Sequence, residues 1–127
     1  MLDTSVLIDI ASLDLDDLPE EASITALTLA ELTSGPVSTA DASQSAKRLE
    51  RLQWAEGKFE AIPFDAAAAR AYGRVYAAVL RAKQKPRGGR AVDLLIAATA
   101  LSRGLPLYTR NPVDFTSVAD LMEIVSV

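Results

Sequence analysis

Ala91-Val92-Asp93-Leu94-Leu95-Ile96-Ala97-Ala98-Thr99-Ala100-Leu101 is apolar throughout except at Asp93 and Thr99. A helix that is apolar on every side must be covered on every side. The segment therefore predicts a helix over 92–101 buried against a sheet. Gly104 stops it, and residues 105–109 then read as a strand. Asp93 is the anomaly. A carboxylate inside a buried run is costly unless it is hydrogen-bonded, paired or bound to a metal. Its bland alternative is a cap for that helix.

Other elements extend the same architecture. Residues 1–3 read as the end of a short first strand. Val6, Leu7, Ile10 and Leu13 follow on one helical face. Residues 14–21 form an acidic loop, and 22–25 a strand. Thr28 starts a helix that Gly35-Pro36 ends. Residues 40–56 predict a helix, with Ala46, Leu49, Leu52 and Gln53 on successive turns. A short strand over 59–63 precedes Asp65, which caps a long helix striped by Ala68, Ala71, Tyr72, Val75 and Val79. Residues 122–127 are the last strand. Helices alternating with short apolar strands predict an α/β fold, a parallel sheet covered on both faces. The length of 127 residues suits one domain spanning 1–127.

Three further acids share the setting of Asp93. Asp3 lies where the first strand gives way to a helix, beside Thr4 and Ser5, and an N-cap is its alternative. Glu31 follows Thr28-Leu29-Ala30 in the spacing of a capping box. Asp114 closes Asn111-Pro112-Val113-Asp114 just after a strand, where an Asx-turn or cap would also fit. All four fall at an expected strand end or first helical turn. Parallel strands bring such points to one edge, where open α/β sheets bind ligands. Four gathered carboxylates repel one another without a cation.

The chain contains neither Cys nor His. That excludes disulfides, thiolate zinc sites, cysteine nucleophiles and imidazole bases. Oxygen-only ligands point to a hard cation, Mg²⁺ or Mn²⁺. The net charge of −4 is unevenly spread. Residues 1–46 hold nine acids and no Lys or Arg, whereas residues 81–90 hold five basic residues and no acid. This basic stretch is either a solvated helix end or a phosphate-contacting rim, with Arg87 and Arg90 nearest Asp93. No apolar run is long enough to span a membrane and no secretory signal pattern is present, so a cytoplasmic protein is expected.

In order, Leu2-Asp3-Thr4-Ser5-Val6-Leu7-Ile8, Ala30-Glu31-Leu32, Asp93-Leu94-Leu95-Ile96-Ala97-Ala98-Thr99-Ala100 and Leu107-Tyr108-Thr109-Arg110-Asn111 with Asp114-Phe115 resemble a PIN domain. Within that family they are most similar to VapC toxins of bacterial type II toxin–antitoxin pairs. The resemblance implies a three-layer sandwich around a central parallel sheet of about five strands. It implies a Mg²⁺- or Mn²⁺-dependent endoribonuclease with Asp3, Glu31, Asp93 and Asp114 as the acidic set. Asp3, Asp93 and Asp114 would bind metal, with Thr4, Thr109 and Asn111 auxiliary. It further implies a VapB antitoxin partner and homodimerisation. Two other classes fit an α/β sheet with acids at its edge. One is a metal-dependent phosphatase; the other is a silent module that binds RNA or an antitoxin without cutting.

Overall fold

The computed structural model describes residues Met1–Val127. Its strands are short, three residues each: β1 (Ser23–Thr25), β2 (Glu60–Ile62), β3 (Leu107–Thr109) and β4 (Ile124–Ser126). They form two parallel pairs, β1 with β2 and β3 with β4. The first segment joins the pairs through its backbone. Leu2 N donates to Ser23 O at 2.8 Å, Asp3 N to Tyr108 O at 2.9 Å, and Tyr108 N to Met1 O at 2.9 Å. Leu2 and Tyr108 make a parallel bridge. All the expected strands are therefore found in place, each shorter than expected, and the first is a single bridge.

Five α-helices surround these strands: α1 (Thr4–Ile8), α2 (Ala26–Ser34), α3 (Ala42–Lys58), α4 (Ala66–Arg81) and α5 (Arg90–Ser102). Neighbouring strand residues point to opposite faces, and the buried side chains divide accordingly. Met1, Ile62 and Leu107 join Val75, Val79, Leu94, Ala97 and Ala98 in a core beneath α4 and α5. Leu2 and Ile24 join Val6, Leu7, Leu32 and Ala55 in a second core beneath α1, α2 and α3. Tyr108 and Ala61 also pack on this second side. Helices thus cover both faces of the strands.

α5 confirms the reading of its sequence. Leu94, Ile96, Ala97, Ala98, Thr99 and Ala100 are all buried. Its small residues let α4 approach closely along Ala68, Ala71, Val75 and Ala78. Gly104, at φ +64, turns the chain out of α5 toward β3 in a conformation that disfavours a β-carbon. Asp65 caps α4, its Oδ1 accepting from Ala68 N at 2.9 Å.

Helix α3 lies two residues later than the expected 40–56, and other helix ends differ as well. α2 begins at Ala26 because Thr25 is its cap, its hydroxyl accepting from Thr28 N at 2.9 Å. Glu31 therefore lies beyond the first turn, and the Thr28–Glu31 capping box does not form. α5 begins at Arg90 after a Gly89 cap that has no side chain to offer. The helix expected through Leu13 breaks at Asp9, whose carbonyl accepts from both Ser12 N and Ser12 Oγ at 2.8 Å. A side-chain donor there replaces the amide that would continue the helix. A 3₁₀ turn follows over Ile10–Ser12.

Candidate active site

Asp3 emerges from the first segment, pinned between Ser23 and Tyr108, and is only 4 % exposed. Its Oδ2 accepts from Ser5 Oγ at 2.7 Å and from Thr109 Oγ1 at 2.9 Å. Those hydroxyls are themselves aimed. Arg110 N donates to Ser5 Oγ at 3.1 Å, and Asn111 N donates to Thr109 Oγ1 at 3.0 Å. With amides filling their lone pairs, both hydroxyl protons point at one carboxylate oxygen. Asp3 Oδ1 is buried and has no partner. A buried acceptor left unsatisfied costs about 1–3 kcal/mol, and more when charged. A cation held at this oxygen would supply the partner it lacks.

Glu31 is solvent-exposed on α2, and its Oε1 accepts from Thr4 Oγ1 at 2.7 Å. Thr4 Oγ1 also lies 3.0 Å from Thr28 Oγ1, which in turn lies 3.2 Å from Thr25 Oγ1. All three threonines are buried. A chain of hydroxyls behind the carboxylate thus fixes where Glu31 stands.

Asp93 is half-buried on the first turn of α5. Gly89 holds the cap position, so Asp93 is not a cap. Burial pushes its carboxyl up to about 6, and the charges of Asp3, Asp114 and Glu31 push the same way. Arg90 opposes them. Asp3, Asp114 and Glu31 therefore all act electrostatically on Asp93. No three of them are arranged to hold an ion by direct contact alone. An ion that keeps several waters, as Mg²⁺ does, needs only one or two carboxylates.

Asp114 lies in the first turn of the 3₁₀ segment Pro112–Val118. Phe115 anchors that segment, 1 % exposed in the core beneath α4 and α5. Burying such a ring contributes about 2–3 kcal/mol. Asn111 precedes the segment without any capping bond from its side chain. Its backbone amide donates to Thr109 Oγ1. Asp93, Asp114, Gly89 and Arg90 line a cavity of about 270 Å³.

Arg90 is half-buried there, its guanidinium donating to Gln84 Oε1. It forms no ion pair with the acids; the ion pairs present are Arg103–Asp65 and Arg110–Asp9. Arg87 is exposed and does not line the cavity, so Arg90 alone reaches the acids. Sequence reasoning missed Ser5, Thr25 and Thr28. The available signal was hydroxyl residues beside each of the first two acids, Thr4-Ser5 after Asp3 and Thr25 and Thr28 before Glu31. The largest cavity, about 560 Å³ between Leu15, Leu18, Trp54 and Phe59, includes none of the four acids.

The PIN domain family model matches residues 1–121. Ribonuclease VapC5 of Mycobacterium tuberculosis is 36% identical over 132 residues, spanning 100% of this chain and 94% of that protein. The crystal structure of VapBC-5 from the same organism, a member of the VapBC family of toxin–antitoxin systems, superposes with a TM-score of 0.86 at 36% identity, covering 99% of this chain and 96% of that one. VapBC-1 from nontypeable Haemophilus influenzae shares the fold, with a TM-score of 0.75 at 23% identity over 98% and 96% of the two chains. The chain belongs to the PIN domain family and, within it, to the VapC ribonucleases.

Proposed function

We propose that this chain is the toxin of a toxin–antitoxin pair, an endoribonuclease that hydrolyses RNA phosphodiester bonds with Mg²⁺ or Mn²⁺. The observation that carries the reading is Asp3 Oδ1, a buried carboxylate oxygen without a partner among three other interacting acids. Asp3, Asp93 and Asp114 would hold the cation. When bound, such a cation supplies positive charge at the scissile phosphate and makes water a stronger acid.

The chain's own residues supply the rest. Ser5 and Thr109 keep Asp3 Oδ2 engaged and leave Oδ1 for the cation. Glu31, steadied by Thr4, orients the attacking water or a second ion. Arg90 offsets the charge of an entering phosphate. Because water attacks rather than the ribose hydroxyl, the products carry a 5′-phosphate and a 3′-hydroxyl.

The scaffold is a five-strand parallel platform in the order β2, β1, the first segment, β3, β4. The backbone bonds of Leu2 and Asp3 to both pairs support it. The VapBC relatives support a VapB-type antitoxin as partner. A homodimer and a cytoplasmic location complete the proposal; no helix is long and apolar enough to cross a membrane. The test is cleavage of total RNA by the purified chain in Mn²⁺ and in EDTA, beside Asp3→Asn. Metal-dependent cleavage lost in the variant is expected. Cleavage that persists in EDTA overturns the assignment.

A further inference from the structure

A second cavity meets the acidic site from the α3 side. It has a volume of about 460 Å³, and its lining includes Thr4, Glu31, Ser38, Gln44, Arg48 and Arg51. Only two of its ten lining residues are hydrophobic. Gln44, Arg48 and Arg51 are spaced four and three apart on α3, so they share one face. Both arginines are half-buried. Neither takes part in an ion pair. Arg51 has no hydrogen-bond partner, whereas Arg48 Nη1 donates to Gly35 O at 3.0 Å.

That contact is built. Gly35 ends α2 with an ordinary right-handed backbone, so its conformation does not require glycine. A β-carbon there would come within 3.2 Å of Leu32 O and 3.6 Å of Arg48 Cβ and Cδ. The missing side chain lets the Arg48 stem lie against the end of α2. Its guanidinium is thereby held in the cavity that Glu31 also lines.

We propose that Arg48 and Arg51 form a phosphate-binding subsite for single-stranded RNA, holding a backbone phosphate that flanks the cleaved bond on the Glu31 side. The inference rests on the nuclease reading and adds to it a place for the strand. Guanidinium forks match phosphate oxygens bidentately, and the Gln44 amide adds a neutral donor. The chain carries −4 overall and gathers four acids at its site, so an RNA strand needs local positive charge to settle there. Arg90 provides it beside Asp93 and Asp114, and Arg48 with Arg51 beside Glu31. A strand crossing the acids would then be held on both sides of the scissile phosphate. Phosphate contacts of this kind fix register and carry no base preference.

The test uses a mixed-sequence single-stranded RNA 15-mer with the full chain in EDTA, and affinity is read by fluorescence anisotropy across a salt series. Arg48→Gln with Arg51→Gln should weaken binding about tenfold or more. It should also reduce the salt slope by roughly 0.7 for each phosphate that the arginines no longer neutralise. Unchanged affinity and slope overturn the subsite, as does a wild-type chain that does not bind the RNA. Arg48 touches the backbone, so Arg51→Gln, which breaks no internal bond, decides the matter if the double variant melts early. Weaker binding in that single variant supports the subsite; unchanged binding overturns it. Wild-type RNA binding in the double variant together with lost binding of a poly-glutamate peptide would assign the arginines to an acidic protein segment instead. Cleavage in Mn²⁺ separates the two readings. Arginine-dependent binding without cleavage removes the nuclease and keeps the subsite. Cleavage with unchanged KM in the double variant keeps the nuclease and removes the subsite.

Discussion

Thr109 Oγ1 donates to Asp3 Oδ2 at 2.9 Å across a sequence separation of 106 residues. The parallel bridge between Leu2 and Tyr108 makes this possible, because it brings the ends of the first segment and of β3 side by side. The two residues that follow the bridge then face one another. One is the acid and the other is the hydroxyl that orients it.

Thr109→Val should therefore damage the site from behind. It removes one donor to Asp3 and leaves Asn111 N without its acceptor. A hydrogen bond to a charged group contributes about 1.5–3 kcal/mol. The variant should unfold at lower denaturant by about that amount and bind Mn²⁺ more weakly. Thr109→Ser keeps the hydroxyl and should recover most of both, measured by urea titration and metal-dependent cleavage.

Asp93→Asn should abolish cleavage while making the metal-free protein more stable at neutral pH. The folded-state value of Asp93, about 6, lies above its ordinary 3.8. The folded chain thus binds more protons between those values. The stability this group contributes is complete below pH 3.8 and is lost as pH rises through about 6. Thermal melts in EDTA should show the two proteins close together at pH 4 and the variant ahead at pH 7. Equal melts at pH 7 would mean that burial and the neighbouring acids do not penalise the Asp93 charge.

The same group should set the acid limb of activity. If Asp93 holds the cation as proposed, protons compete with the ion for its carboxylate. Cleavage at subsaturating Mn²⁺ should rise through about pH 6 and level off above it. Saturating Mn²⁺ should move the midpoint lower. A midpoint that ignores the metal concentration would mean that another group controls the limb.

Mn²⁺ should raise the melting temperature of the free chain. An ion that binds only the folded state at a hundredfold excess over Kd stabilises it by about 2.7 kcal/mol. Asp3→Asn should remove most of that increment, because it neutralises the carboxylate that owns the unpaired buried oxygen. Differential scanning fluorimetry in EDTA and in Mn²⁺ would show it.

From the sequence alone, the chemistry and the order of elements could be read. Absence of Cys and His leaves carboxylates, hydroxyls, amides, Lys and Arg for catalysis and only oxygen ligands for a metal, and the apolar run around Asp93 demands a helix packed on strands. Those inferences depend on composition and periodicity, which are local. Asp3, Asp93 and Asp114 stand out because a charge beside apolar residues is itself a local signal. What answers each acid is not local. Glu31 read as a capping-box residue until Thr25 took the cap, and its partner proved to be Thr4, 27 residues away. Ser5, Thr25 and Thr28 look like ordinary surface hydroxyls in the sequence. They come to stand behind the acids only because two parallel strand pairs bring distant segments together. Arg87 and Arg90 are equivalent in sequence, yet helix α5 begins at Arg90 and carries only that one to Asp93. Hydrogen bonds and Coulomb forces act over a few ångströms, and only the tertiary fold decides which distant residues come that close.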